Sequence, residues 1–342
     1  MNERLHIAYL LEDTELSGGV RVQLAQADAL VARGHRVTIA TKGPPVSWTG
    51  SEAEWMYVDS FEAIDPDTFD FIVGGFWTTV RPAWELAAGK AVHLCQGFEG
   101  SFRYYEDQRA EIERTYQLPV PKLVVSRHLI DICRQFFDDV TWVGQIVDEA
   151  FYRPSSPPDN RPMRVLLSGA SQIDIKGIEE GYGAVAHAVW NGAELDLIRV
   201  SPWAPGGDEP LDSVSEFHVA LGSAEMTRLM HSCDVLLAPN HAEEGFGLPA
   251  AEAMASGLPV IMTRIPSFLS FGSPHDYALF ANQGDAMAMG DALLELLYSE
   301  GLRQRLRVRG RQIAEEFHAH DVAVRLEQFF LARRQLRDRS AP

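Results

Sequence analysis

The chain has 342 residues, 46% of them hydrophobic and 23% charged, a composition that fits a soluble globular protein long enough for two domains and excludes a disordered one. Its formal net charge of -18 excludes a general nucleic-acid binder, because neutralising phosphates needs a basic face. No apolar run approaches the roughly 20 residues that cross a bilayer. Met1-Asn-Glu-Arg4 carries no secretory signal, and Cys95, Cys133 and Cys233 stand far apart without metal-ligand spacing, so the expected setting is a reducing cytoplasm with the thiols as small buried groups.

Strands and helices alternate along the whole chain. Residues 5–11 read as a first strand, Gly18 and Gly19 break the loop after it, and residues 20–32 carry helical periodicity through Val20, Leu24, Ala27 and Val31. Gly34 ends that helix, with His35 structural in the turn, and 36–40 returns as a strand. Further strands are expected at 69–73, 91–95, 123–125 and 140–143, and helices near 81–87, 102–116 and 128–137. Asp65-Pro-Asp67 has the look of a metal site but reads better as a turn before a strand, so no metal is expected. His93 reads as a packed core histidine. Residues 152–162, with four prolines, are the most obvious linker.

Beyond the linker the alternation restarts, with strands expected at 164–167, 194–200, 214–217, 235–238 and 260–262. The most informative stretch is Glu244-Gly-Phe-Gly-Leu-Pro-Ala-Ala-Glu252, two carboxylates around a glycine-bracketed loop and the opening of a helix at 250–256. A buried strand before it and another after it make a strand-loop-helix-strand unit, where α/β sheets collect ligands at free N–H groups. A last helix places Val322, Leu326, Phe329 and Phe330 on one face. The pattern is α/β and doubly wound throughout.

The segment from Asp234 through Glu244-Gly-Phe-Gly-Leu-Pro-Ala-Ala-Glu252 to Val260 resembles the donor-site signature of family-4 glycosyltransferases, retaining enzymes of the GT-B fold. Ser17-Gly-Gly-Val20, Arg33-Gly-His-Arg-Val37, Val125-Ser-Arg-His128, Lys176-Gly177 and Asp285-Ala-Met-Ala-Met289 fit the same family in order. The resemblance implies two Rossmann-like domains facing an interdomain cleft. Residues 1–150 would form the acceptor side, 151–162 the linker and 163–320 the donor-binding domain, with the helix at 321–342 packing back on the first domain.

It also implies roles. Glu244 would contact donor-sugar hydroxyls and Glu252 the nucleotide ribose, as carboxylates that accept hydroxyl hydrogen bonds; a structural alternative places Glu252 simply in the favoured first turn of a helix. Gly245, Phe246, Gly247 and Leu248 would let backbone approach sugar and diphosphate, and Gly18 and Gly19 would turn N–H groups toward the diphosphate. Lys176 matches the phosphate-binding lysine. Two departures stand out. Ala170 lies where many members carry an arginine before that lysine, and Gln96-Gly-Phe-Glu99 replaces a histidine that touches the donor sugar. That variation resembles a subset including rhamnosyltransferases of polysaccharide assembly, with Gln96 as a neutral substitute and Glu99 orienting or deprotonating the acceptor.

The implied reaction moves a glycosyl group from a UDP-, GDP- or dTDP-sugar to a sugar, lipid-linked or small-molecule acceptor with retention, without cofactor or metal. Ser101-Phe-Arg-Tyr-Tyr-Glu-Asp-Gln-Arg109 reads as an acceptor or peripheral-membrane element, or as a plain surface helix, which its interleaved acids favour. Two other functions stay open: a sugar-nucleotide epimerase or hydrolase of the same fold, and a non-catalytic nucleotide-sugar binding subunit.

Overall fold

A computed structural model describes residues 4–15, 17–44, 50–152 and 161–340. They divide into two compact units, one of residues 1–146 with 317–342 and one of 147–316. The proline-rich stretch read as a linker lies largely at 153–160, outside the described residues.

In unit 1 the elements run β1 (His6–Leu11), α1 (Gly18–Ala32), β2 (Arg36–Thr41), β3 (Glu54–Tyr57), β4 (Phe71–Gly74), α2 (Trp77–Leu86), β5 (Ala91–Cys95), α3 (Arg109–Tyr116), β6 (Lys122–Val124), α4 (Leu129–Arg134) and β7 (Val140–Trp142). The seven strands are parallel in the order β3-β2-β1-β4-β5-β6-β7, so chain direction across the sheet reverses between β1 and β4. Strands buried on both faces need near-continuous apolar runs, and β1, β4 and β5 have them. Among the described residues β3 had no expectation behind it: Glu54-Trp-Met-Tyr57 is a half-exposed edge strand without the apolar run of a central one.

Unit 2 runs β8 (Met163–Ser168), α5 (Ile178–Trp190), β9 (Leu195–Ser201), β10 (Glu216–Val219), α6 (Ser223–His231), β11 (Val235–Ala238), α7 (Leu248–Ala255), β12 (Val260–Thr263), α8 (Pro266–Leu269), β13 (Leu279–Ala281), α9 (Ala286–Tyr298) and α10 (Glu300–Ala314). Its six parallel strands are ordered β10-β9-β8-β11-β12-β13, with the reversal between β8 and β11. Asp285 caps α9, its Oδ1 accepting from Ala288 N at 2.9 Å, which gives the Asp285-Ala-Met motif a structural role. Val165, Leu167, Val235 and Ile261 meet Met289 and Leu293 in the core.

The chain then forms α11 (Ala319–Ser340), which belongs to unit 1 and buries Val322, Leu326, Phe329 and Phe330. His35 ties it down. Its Nδ1 accepts from Leu5 N at 3.2 Å, so the ring proton sits on Nε2, which donates to Glu327 Oε1 at 3.1 Å, while Arg33 Nε donates to Glu327 Oε2 at 2.9 Å.

Several expected boundaries move. Residues 102–116 are not one helix: Arg103–Gln108 forms a 3-10 turn with Tyr105 outside helical geometry, where its ring meets Phe76 and Trp77, and only Arg109–Tyr116 is α-helical. The helix at 128–137 shortens to Leu129–Arg134, and the strand at 214–217 shifts to Glu216–Val219 after a 3-10 turn. Asp65 caps the 3-10 turn Pro66–Thr68, accepting from Asp67 N at 3.0 Å. Cys95, Cys133 and Cys233 are buried free thiols. Among the described residues no helix is long and apolar enough to cross a membrane.

Candidate functional site

In unit 2 the loops leaving β8 and β11 meet where the sheet reverses, the position at which open parallel sheets bind ligands. Their backbones pair, His241 N donating to Ile175 O at 2.9 Å. Gly177 sits at φ +60 and so close that a Cβ there would lie 2.1 Å from the Pro239 carbonyl oxygen. This approach sets Lys176 Nζ 2.7 Å from Glu244 Oε2. Asn240 Nδ2 donates to the same oxygen at 2.6 Å. Burial works against charge on Glu244, yet the Lys176 ammonium, its hydrogen bond, that of Asn240 and the Phe246 N–H together hold the carboxyl below the usual range. The pair is an ion pair at neutral pH.

Gly245 and Phe246 are buried, the latter 5.0 Å from the Phe271 ring. Gly247 is the N-cap of α7 at φ +85, where a Cβ would stand 2.2 Å from Phe268 Cε1, so the backbone is pressed against that ring and Leu248 begins the helix. The helix thus starts two residues earlier than read from the sequence. Glu252 lies in its second turn, fully covered, not in the first turn where the helix dipole alone would favour an acid.

Ala170, where the resembled family commonly carries an arginine, is buried. A guanidinium does lie beside it. Arg199 of β9 donates from Nε to Glu209 Oε1 at 2.8 Å, from Nη1 to Leu167 O at 2.7 Å and from Nη2 to Gly169 O at 3.0 Å. Each of its nitrogens is engaged, so it braces the loop after β8 and is not presented to a phosphate.

In unit 1 the loops after β1, β4 and β5 converge at the corresponding reversal. Gly18 and Gly19 are the first two residues of α1, not a loop before it, because Ser17 Oγ accepts from Val20 N and starts the helix early. A Cβ on Gly19 would touch the Gln96 amide at 3.6 Å, and Gln96 Nε2 donates to Gly75 O at 3.0 Å. Gln23 packs against Gly75. Glu99 is 6% exposed and accepts from Tyr116 OH at 2.6 Å. Burial raises its carboxyl to about 7 against the lowering effect of Tyr116 and of backbone N–H groups, including that of Trp77. His93 is a core residue, edge-on to Tyr116 at 4.7 Å; burial and the Lys122 charge push it well below the usual range, so it stays neutral. In the Val125–His128 motif, Ser126 Oγ and His128 Nδ1 are 2.8 Å apart and Arg127 stacks 3.6 Å over Trp142.

The structure therefore gathers Lys176, Glu244, Gly245, Phe246, Gly247, Leu248 and Glu252 in one unit, and Gly18, Gly19, Gln96 and Glu99 in the other. Asn240, Gly75 and Tyr116 belong to these arrangements without having been singled out. Asn240 carried a weak signal, standing two residues past an apolar strand; Tyr116 carried none.

Two parallel-sheet units of this kind define the GT-B fold. They are similar to sucrose-phosphate synthase from Thermosynechococcus elongatus, with TM-score 0.74 and 16% identity over 98% of this chain and 100% of that one. They are similar also to HepE of Anabaena, solved in complex with UDP-glucose, with TM-score 0.77 and 14% identity over 96% and 100%. Residues 213–313 match the family model described as Glycosyl transferases group 1. Over 101 residues the chain is 32% identical to the phosphatidyl-myo-inositol mannosyltransferase of Mycobacterium leprae, covering 30% of this chain and 27% of that protein. Over 160 residues it is 28% identical to the MMP alpha-(1->4)-mannosyltransferase of Mycolicibacterium hassiacum, covering 45% and 39%. The chain thus spans well under half the length of these curated relatives.

Proposed function

We propose that this protein is a glycosyltransferase that moves a glycosyl group from a nucleoside diphosphate sugar to an acceptor hydroxyl, with retention at the anomeric carbon and without a metal. The observation that carries this reading is the Lys176–Glu244 ion pair at the sheet reversal of unit 2, beside the glycine-capped start of α7. Lys176 has three ammonium protons, of which the Glu244 bond uses one, so it can meet the negative charge that grows on the leaving diphosphate. Glu244 accepts donor-sugar hydroxyls and Glu252 the ribose. The anomeric carbon–oxygen bond to phosphate breaks, a bond to the acceptor oxygen forms on the same face, and the acceptor proton passes to the departing phosphate.

In unit 1, Gln96 and the start of α1 serve the reacting sugar, and Glu99 orients the acceptor hydroxyl. The mannosyltransferase relatives and the UDP-glucose complex of HepE support a nucleotide-sugar donor. The full engagement of Arg199 favours a second reading, binding of the donor without transfer, since it leaves Lys176 as the cation argued for the diphosphate.

Thermal unfolding with UDP-, GDP- and dTDP-sugars tests donor binding: a ligand at 100 times its dissociation constant stabilises by about 2.7 kcal/mol. No stabilisation by any of them sinks the proposal. Free nucleoside diphosphate together with a new glycoside separates transfer from hydrolysis, epimerisation and binding alone.

A further inference from the structure

Unit 1 carries an aromatic cluster that the proposed chemistry leaves unused. Phe76 and Trp77 open α2 just past β4, and Phe102, Tyr104 and Tyr105 follow the turn after β5. Because β4 and β5 are neighbours in the sheet, these loops lie side by side. Ring centroids are 6.2 Å apart for Phe76–Tyr105 and for Trp77–Tyr105, and 4.6 Å apart for Tyr104–Tyr105. Tyr104 is 58% exposed and the others are half-buried, so a group of rings faces water. Clustered rings of this kind offer apolar contact surface to a partner.

Polar groups at its base narrow the partner. Trp77 N donates to the Glu99 carboxyl, whose charge is also felt by the Tyr105 phenol. Trp77 Nε1 is buried with no hydrogen-bond partner among the described residues. Rings beside a carboxyl acceptor and an unmet N–H donor suit a neutral pyranose, whose C–H face stacks on aromatic surface while its hydroxyls both donate and accept. An alkyl chain would leave the polar groups unmet, and an anionic group would face Glu99.

We propose that Phe76, Trp77, Tyr104 and Tyr105 form a carbohydrate platform that, with Glu99, holds the acceptor as a neutral glycoside. This rests on the glycosyl-transfer reading in assigning the bound sugar as acceptor, and its binding is measurable without turnover. The test is saturation-transfer difference NMR of the full chain with methyl pyranosides of mannose, glucose, galactose and rhamnose. At least one binds wild-type protein, and its dissociation constant rises about tenfold or more in Tyr104→Ala and Tyr105→Ala. Tyr298→Ala, at an exposed ring on α9 of unit 2, keeps wild-type binding. Circular dichroism confirms that each variant is folded. The proposal is overturned if no pyranoside binds, or if both alanine variants bind as wild type does. Donor stabilisation measured on the same proteins separates the two readings: its presence without glycoside binding to the wild type sinks only the platform, and its absence with glycoside bound sinks the transfer and the acceptor assignment but not the sugar-binding rings.

Discussion

Lys176 Nζ lies 2.7 Å from Glu244 Oε2 across 68 residues of sequence, in a chain whose basic residues are almost all arginine. A compact ammonium on a flexible stem can swing from a carboxylate to a phosphate oxygen, which a rigid bidentate guanidinium does less readily. Breaking the pair leaves a buried carboxylate held only by Asn240 and a backbone N–H.

Lys176→Ala and Glu244→Gln are each expected to lower turnover by about tenfold or more while the protein stays folded. Steady-state rates over pH add a second readout. Without the Lys176 charge the Glu244 carboxyl moves upward, so the acid limb of the profile shifts to higher pH in Lys176→Ala. Wild-type rates in both variants would remove the pair from the site.

Glu99 titrates near 7 in the folded chain against a usual 4.5. Between those values the folded state binds the extra proton, so Glu99 adds stability at low pH that is lost as pH rises through about 7. Glu99→Gln should therefore match the wild type below about pH 4.5 and exceed it by up to about 3 kcal/mol at pH 8. Urea denaturation at the two pH values reads the difference, and an equal gap at both would refute the raised carboxyl.

Glycine substitutions separate backbone geometry from ligand contact. Gly177→Ala and Gly247→Ala meet Pro239 O and Phe268 at positive φ and are expected to cost about 2 kcal/mol or more. A Cβ on Gly18 meets nothing within 4 Å, so Gly18→Ala should stay within about 0.5 kcal/mol of wild type. A donor dissociation constant that rises in Gly18→Ala at unchanged stability would assign its N–H to the ligand; an unchanged constant would leave it a helix start.

Arg199 and Glu209 pair with side chains 0% and 1% exposed. Arg199→Met leaves Glu209 buried without its guanidinium and is expected to lower stability by about 3 kcal/mol or more. Donor affinity of the protein that remains folded should stay near wild type, because the guanidinium braces the loop and does not hold phosphate. A donor affinity that falls more than tenfold in the folded fraction would reverse that assignment.

Strands such as β1, β5 and β11 were legible because parallel strands buried on both faces are apolar almost throughout, and the motif from Glu244 to Glu252 was legible because its glycines and carboxylates fall within nine consecutive residues. β3 was not, being a short edge strand whose register comes from pairing with β2. The break at Tyr105 was hidden because its ring packs edge-on against Trp77, a residue 28 positions away in the chain, which local spacing does not show.

By itself, then, the sequence determined the α/β alternation and the glycine-bracketed motif from Glu244 to Glu252 between two strands, all properties of residues near one another in the chain. Tertiary structure decided the rest. It set Lys176 against Glu244, tied Arg199 to Glu209 instead of leaving it for a phosphate, and buried Glu99 under Tyr116 so that its proton is held to about 7. Ion pairing and desolvation act over a few ångströms of space, and only the folded sheets bring residues this far apart in sequence to that distance.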